Sequence, residues 1–126
     1  MALPANAKVE AAPNFLANLD ASHEFFLLQD TESADVRLAR LKAELREMLA
    51  ILSWSPTSGR PARFVTARSA QARLKTEAVL SLAHQAGLPE LREFIVSQHV
   101  VLYANSATEV VLLALKHQRQ LVYSAT

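Results

Sequence analysis

Three consecutive segments near the C-terminal end, LREFIVS, HVVLYAN and EVVLLALKHQRQLVY, constrain the fold more than any other feature of this chain. They are rich in β-branched and aromatic residues, which favour extended backbone. A strand with one wet face alternates polar and apolar residues, but residues 100–104 and 110–115 are apolar almost throughout. Both faces of such strands must be covered. The ANSAT stretch between the second and third segments supplies turn-forming Asn105 and Ser106, so these two should pair as a hairpin.

The cover has to come from the first two thirds of the chain. Residues 7–12 (AKVEAA) precede Pro13 and suit a short edge strand. From Asn14, read as an N-cap, Phe15, Leu16, Leu19, Phe26 and Leu27 fall mostly on one helical stripe reaching about Gln29. A second helix is expected from Ser33 or Ala34, with Leu38, Leu41, Leu45, Met48, Leu49 and Leu52 at spacings of three and four. Pro56, Gly59 and Pro61 stop it. A third helix with a narrower stripe (Leu74, Val79, Leu82, Ala86) runs from about Ser69 to Gln85 and ends before Gly87 and Pro89. The resulting expectation is an α+β fold, a helical hairpin packed on a mainly antiparallel sheet in the order β-α-α-[α]-β-β-β.

Composition narrows the chemistry. A chain of 126 residues, 51% of them hydrophobic, is long enough for one domain spanning 1–126 and too apolar for intrinsic disorder. No apolar run approaches the roughly 20 residues of a membrane span, and MALPANAKVEAAP lacks the apolar centre of a signal peptide, so a cytoplasmic protein is expected. Zero cysteines exclude thiol chemistry and thiolate metal sites. His23, His84, His99 and His117 show no metal-ligand spacing, so neither metal nor cofactor is expected. With only Gly59 and Gly87, there is no Gly-rich phosphate loop, and no nucleophile elbow occurs. The net charge of +1 is unevenly spread: residues 1–58 hold five Lys/Arg against eight Asp/Glu, residues 59–126 eight against four. Arg60, Arg63, Arg68, Arg73 and Lys75 follow one another without an acid between them.

Taken in order, the short first strand, the helical hairpin, GRP at 59–61, LRE at 91–93, the VLY strand ending at Tyr103 and the tail KHQRQ…Y at 116–123 resemble the RelE/ParE superfamily of small bacterial toxins. The likeness spans nearly the whole chain and departs from the family at about 66–88, where an inserted helix replaces a shorter loop. The resemblance implies a toxin of a type II toxin–antitoxin pair, as in plasmid stabilisation, neutralised by a cognate antitoxin and meeting DNA only through it. ParE-type members act as gyrase inhibitors by binding DNA gyrase; RelE-type members are mRNA interferases that cut mRNA on the ribosome.

RNA cleavage through the 2′-hydroxyl requires a base, cations on the phosphate and an acid for the leaving oxygen. His117 has the suitable pKa for proton transfer. If the last strand persists to Tyr123, residues 117, 119, 121 and 123 share a face, and His117, Arg119 and Tyr123 converge as a catalytic set. Against this, Phe94, Val96, Val100, Leu102 and Ala104 stand where endonuclease relatives place cations, and +1 is a small charge for docking on ribosomal RNA. The balance lies with the ParE branch and with binding rather than catalysis. Arg60, Arg92, Lys116 and Arg119 are then the candidate contacts to target or antitoxin, while an inactive relative kept as a partner-binding module is a further alternative. His23, His84 and His99 are read as isolated residues.

Overall fold

The computed structural model describes residues 6–62, 70–120, 123 and 125. Its elements are β1 (Lys8–Ala11), α1 (Pro13–Gln29), α2 (Thr31–Trp54), β2 (Arg60–Pro61), α3 (Ala70–Ala86), β3 (Glu90–Val96), β4 (His99–Asn105) and β5 (Glu109–His117). The strands form one sheet in the order β1-β5-β4-β3-β2. Only β1 runs parallel to its neighbour, β5; the other pairs are antiparallel.

β4 is the middle strand, and every one of its seven residues is buried. That is why its sequence does not alternate. On one face Val101 and Tyr103 pack with Val110, Leu112 and Leu115 beneath Phe15, Phe26, Leu41, Leu45, Met48 and Leu52 of the α1–α2 hairpin. On the other, Val100, Leu102, Ala104, Leu113 and Ala114 pack with Val79 of α3 and with Tyr123. Leu113 and Ala114, though adjacent, join the same cluster because the pairing slips: Leu102 faces Ala114 while Tyr103 faces Leu112. Leu113 is the additional residue of a β-bulge.

The bulge explains the start of α1. Asn14 does not cap the helix; Ala12 occupies the N-cap with extended backbone, and Pro13 follows in the first turn, where its fixed φ fits and its missing N–H costs nothing. Asn14 is instead buried, and its Nδ2 donates to the Leu113 carbonyl at 3.0 Å. One turn on, Asn18 Oδ1 accepts from the Leu115 N–H at 2.9 Å. The two amides bind backbone groups beside the bulge, each bond contributing about 1 kcal/mol. The α1 stripe is also narrower than expected, for Leu16 and Leu27 are 51% and 38% exposed.

α2 begins two residues before Ser33 because Asp30 caps it, accepting from the Glu32 N–H at 3.1 Å. Its buried set, Leu41, Leu45, Met48 and Leu52, is the stripe visible in the sequence. α3 buries Val79 but leaves Leu74 exposed, and it closes at Gly87, whose φ of 68° is the left-handed conformation common just past a helix. The expected start at Ser69, the first residues of the inserted segment and the cations Arg63 and Arg68 lie outside the described residues. Among the described residues, no helix is long and apolar enough to cross a membrane.

Two expectations need correction. The GRP stretch is more than a helix stop, since Arg60 and Pro61 pair with Glu93 and Arg92 as a short edge strand. The last strand ends at His117 rather than at Tyr123. Gln118 donates to the Gln98 carbonyl and Gln120 to that of His117, so the chain turns away from the sheet at once.

Candidate functional site

The weak motifs in the sequence meet in space. The Gly59 N–H donates to Tyr103 Oη at 2.9 Å, and that hydroxyl donates to the Pro56 carbonyl at 2.8 Å. A Cβ on Gly59 would lie 2.6 Å from the Glu93 carbonyl and from Tyr103 Oη, so only glycine admits this approach. Arg92 donates to the Gly59 carbonyl at 2.9 Å and to the Glu90 carboxylate at 3.2 Å. Glu90, held below the usual carboxylate range mainly by its hydrogen bond from Asn105, completes the cluster. GRP, LRE and VLY therefore form one structural clamp, and Arg92 is largely engaged within it.

On the α3 face, Glu93 lies buried among polar and cationic groups. Tyr123 donates a short hydrogen bond to its carboxylate, and Arg60 Nε stands 3.6 Å away. Lys116 Nζ lies 5.2 Å from the centre of the Tyr123 ring and donates to the Gln120 carbonyl. Burial, followed by the bond to Glu93, pushes the Tyr123 hydroxyl far above its usual range. Burial also lowers Lys116. A phenol held protonated in this way donates a hydrogen bond and serves as an anchor; it is no base at neutral pH.

The opposite face presents a different cluster. His99 and His117 are cross-strand partners, their rings edge to face at 5.3 Å, and His99 makes a similar contact with Phe26 at 6.2 Å. His117 Nδ1 accepts the Arg119 backbone N–H at 3.1 Å, which leaves Nε2 as the proton-bearing nitrogen of the neutral ring. Arg37 stacks over Phe26 at 4.1 Å and donates to Gln29 at 2.8 Å. Burial, aided by His117 and Arg37, holds His99 down at about 4. Burial also lowers His117, with Arg119 and Arg37 adding to the effect. These groups line a cleft of about 580 Å³ between the end of the sheet and the helical hairpin.

His117 and Arg119 thus lie together, but Tyr123 sits beyond the sheet from His117. Lys116, adjacent in sequence, points to the Tyr123 side, as alternation in a strand requires. The three-residue convergence rested on an extended tail, and the turn after His117 removes it. Residues 121 and 122 lie outside the described residues. Three participants escaped the sequence reading: Glu93, Arg37 and His99. Counting an even ladder back from the loop at 106–108 sets His99 opposite Lys116; the bulge at Leu113, which the sequence does not announce, moves it opposite His117. Arg37 needed tertiary structure.

A scan against protein-family models finds no match, and no curated protein matches the chain. Solved structures do. A chain from the structure of a chromosomal ParDE toxin–antitoxin system of P. aeruginosa superposes with a TM-score of 0.53, at 11% identity, over 88% of this chain and 95% of that one. The protein has a RelE/ParE-like fold. At this identity the likeness is one of architecture: a helical hairpin on a mixed sheet, with β1 alongside the final strand. Within that fold, Val96, Val100, Leu102 and Ala104 are buried in the two cores, Phe94 packs half-buried against the first, and β4 is enclosed on both sides.

Proposed function

We propose that this chain, as a single domain spanning 1–126 with α3 and the segment leading to it as an insertion, is the toxin of a type II toxin–antitoxin pair. It belongs in this reading to the ParE-like kind, acting in the cytoplasm by binding a target such as DNA gyrase rather than by cutting RNA. The observation that carries the proposal is the RelE/ParE-like fold combined with the separation of His117 from Tyr123 by the sheet. A nuclease needs its base, acid and cations around one phosphate. Here Val100, Leu102 and Ala104 fill the middle strand, and the buried carboxylate of Glu93 is bound to a tyrosine.

In this reading the cognate antitoxin covers apolar side chains left exposed on the hairpin. Leu16, Leu28, Val36, Ile51 and Trp54 of the hairpin are each at least 45% exposed and offer it apolar contacts. Arg60 and Arg119 are exposed and suit contact with target or antitoxin, while Arg92 and Lys116 are already engaged by the clamp and the tail. DNA contact belongs to the antitoxin.

Induced expression tests the reading. Growth arrest with intact mRNA and an SOS response, reversed by the antitoxin, is expected. Ribosome-positioned mRNA cuts abolished by His117→Ala would establish the endonuclease instead. Unimpaired growth would leave only an inactive partner-binding module.

A further inference from the structure

The cleft on the hairpin face contains a charge imbalance of which the toxin reading uses only Arg119. Its walls hold Arg37, Arg119, His99 and His117, and among the described residues no aspartate or glutamate lines it. Arg119 is exposed, and its side chain forms no ion pair with the described residues. His99 is 8% exposed, yet neither of its ring nitrogens has a hydrogen bond with the described residues. Among those residues the unpartnered, fully enclosed side-chain polar atom is Asn105 Oδ1, so the His99 nitrogens open onto the cleft. The His99 ring thus turns its nitrogens into a cleft shared with two arginines and a second histidine, where a ligand can reach them.

The remaining lining combines apolar side chains with amides. Phe25 is half exposed at the rim, and Leu115 and Phe26 form the apolar floor. Gln29, Gln98, Gln118 and Gln120 provide amides, each able to donate and accept. The volume of about 580 Å³ lies in the range of small-ligand sites. We propose that this cleft binds a nucleotide phosphate, with the phosphate against Arg37, Arg119 and the two histidines, the base against Phe25 and its edge bonded to the amides. Guanidinium groups favour phosphate through paired, charge-assisted hydrogen bonds, and neutral histidines contribute further donors. The arrangement is a binding site; no bond is made or broken in it.

The inference does not depend on the toxin reading, because purified protein tests it without any assay of growth. Histidine ring and arginine side-chain NMR signals are followed while AMP is added to the full chain. Saturable shifts at His99, His117 and Arg37 are expected, with the His117 titration moving to higher pH as the anion offsets the neighbouring cations. Arg119→Gln, an exposed position that should leave the fold intact, should weaken AMP binding about tenfold. A second variant, Phe25→Ala, should weaken AMP but leave inorganic phosphate unchanged. A 5′-phosphorylated dinucleotide separates the two sources of the same chemistry: binding equal to that of AMP assigns a strand end, and loss of binding assigns a free nucleotide. Absence of saturable shifts with AMP at about 10 mM, where even a millimolar site would be largely filled, overturns the proposal. Inorganic phosphate binding as tightly as AMP overturns the nucleotide assignment.

Discussion

The two faces of the sheet are covered in different ways. The hairpin face lies under two long helices whose large side chains interlock with Tyr103 and Val101, with the histidine cleft at one end of β4 and the Glu90–Arg92–Asn105 cluster at the other. The α3 face is thinner. One helix contributes Val79 and a margin of alanines, and the polar group Glu93, Tyr123, Arg60 and Lys116 completes the cover. The comparison teaches that a strand apolar on both sides can be shielded by a helical layer on one face and by a combination of helix and tail on the other. The same division places neighbouring basic residues in different environments: Lys116 belongs to one face and His117 to the other.

Core truncation should separate the faces most strongly. Leu52→Ala, beneath the hairpin and fully buried, should cost about 2–5 kcal/mol in urea unfolding, whereas Val79→Ala under α3 should cost about 1–2. Equal costs would show that α3 anchors its face as firmly as the hairpin does.

Acid should weaken the hairpin face next. Folding keeps His99 neutral, so between its ordinary value of 6.5 and about 4 the unfolded chain binds a proton that the folded chain refuses. Stability is therefore complete above pH 6.5 and falls as pH drops through that window, by roughly 3 kcal/mol at most. His117, shifted the same way, adds to the slope. His99→Phe, which retains the edge-to-face packing, should flatten the profile measured by thermal unfolding at several pH values.

The clamp that joins the GRP strand to β4 comes third. Gly59→Ala forces a Cβ against Tyr103 Oη and the Glu93 carbonyl and should destabilise by about 1–3 kcal/mol. The smallest expected effect is on the α3 face. Tyr123→Phe removes one bond to a carboxylate that keeps Arg60, costing about 1 kcal/mol and raising the hydrogen-exchange rate of the tail more than that of the sheet.

These effects also mark what the sequence could reveal. The α2 stripe and the buried β4 strand were legible because burial on one side or on both leaves a direct periodic record. The start of α1 was not, because Asn14 looks like a cap and serves a bulge 99 residues away. The site residues were legible as types only. His117 and Arg119 line one cleft, but the residues that join them there are His99, chosen by strand register, and Arg37, chosen by helix packing. Tyr123 left the set because the chain turns at Gln118, and no periodicity precedes a turn built from glutamine and arginine.

NMR contacts from the aromatic and imidazole protons test the central claim most directly, since they report which face each group occupies. The account predicts cross-peaks from His117 to His99 and from Tyr123 to the Lys116 side chain, with none between His117 and Tyr123. A direct His117–Tyr123 contact would place the groups on one face and contradict it.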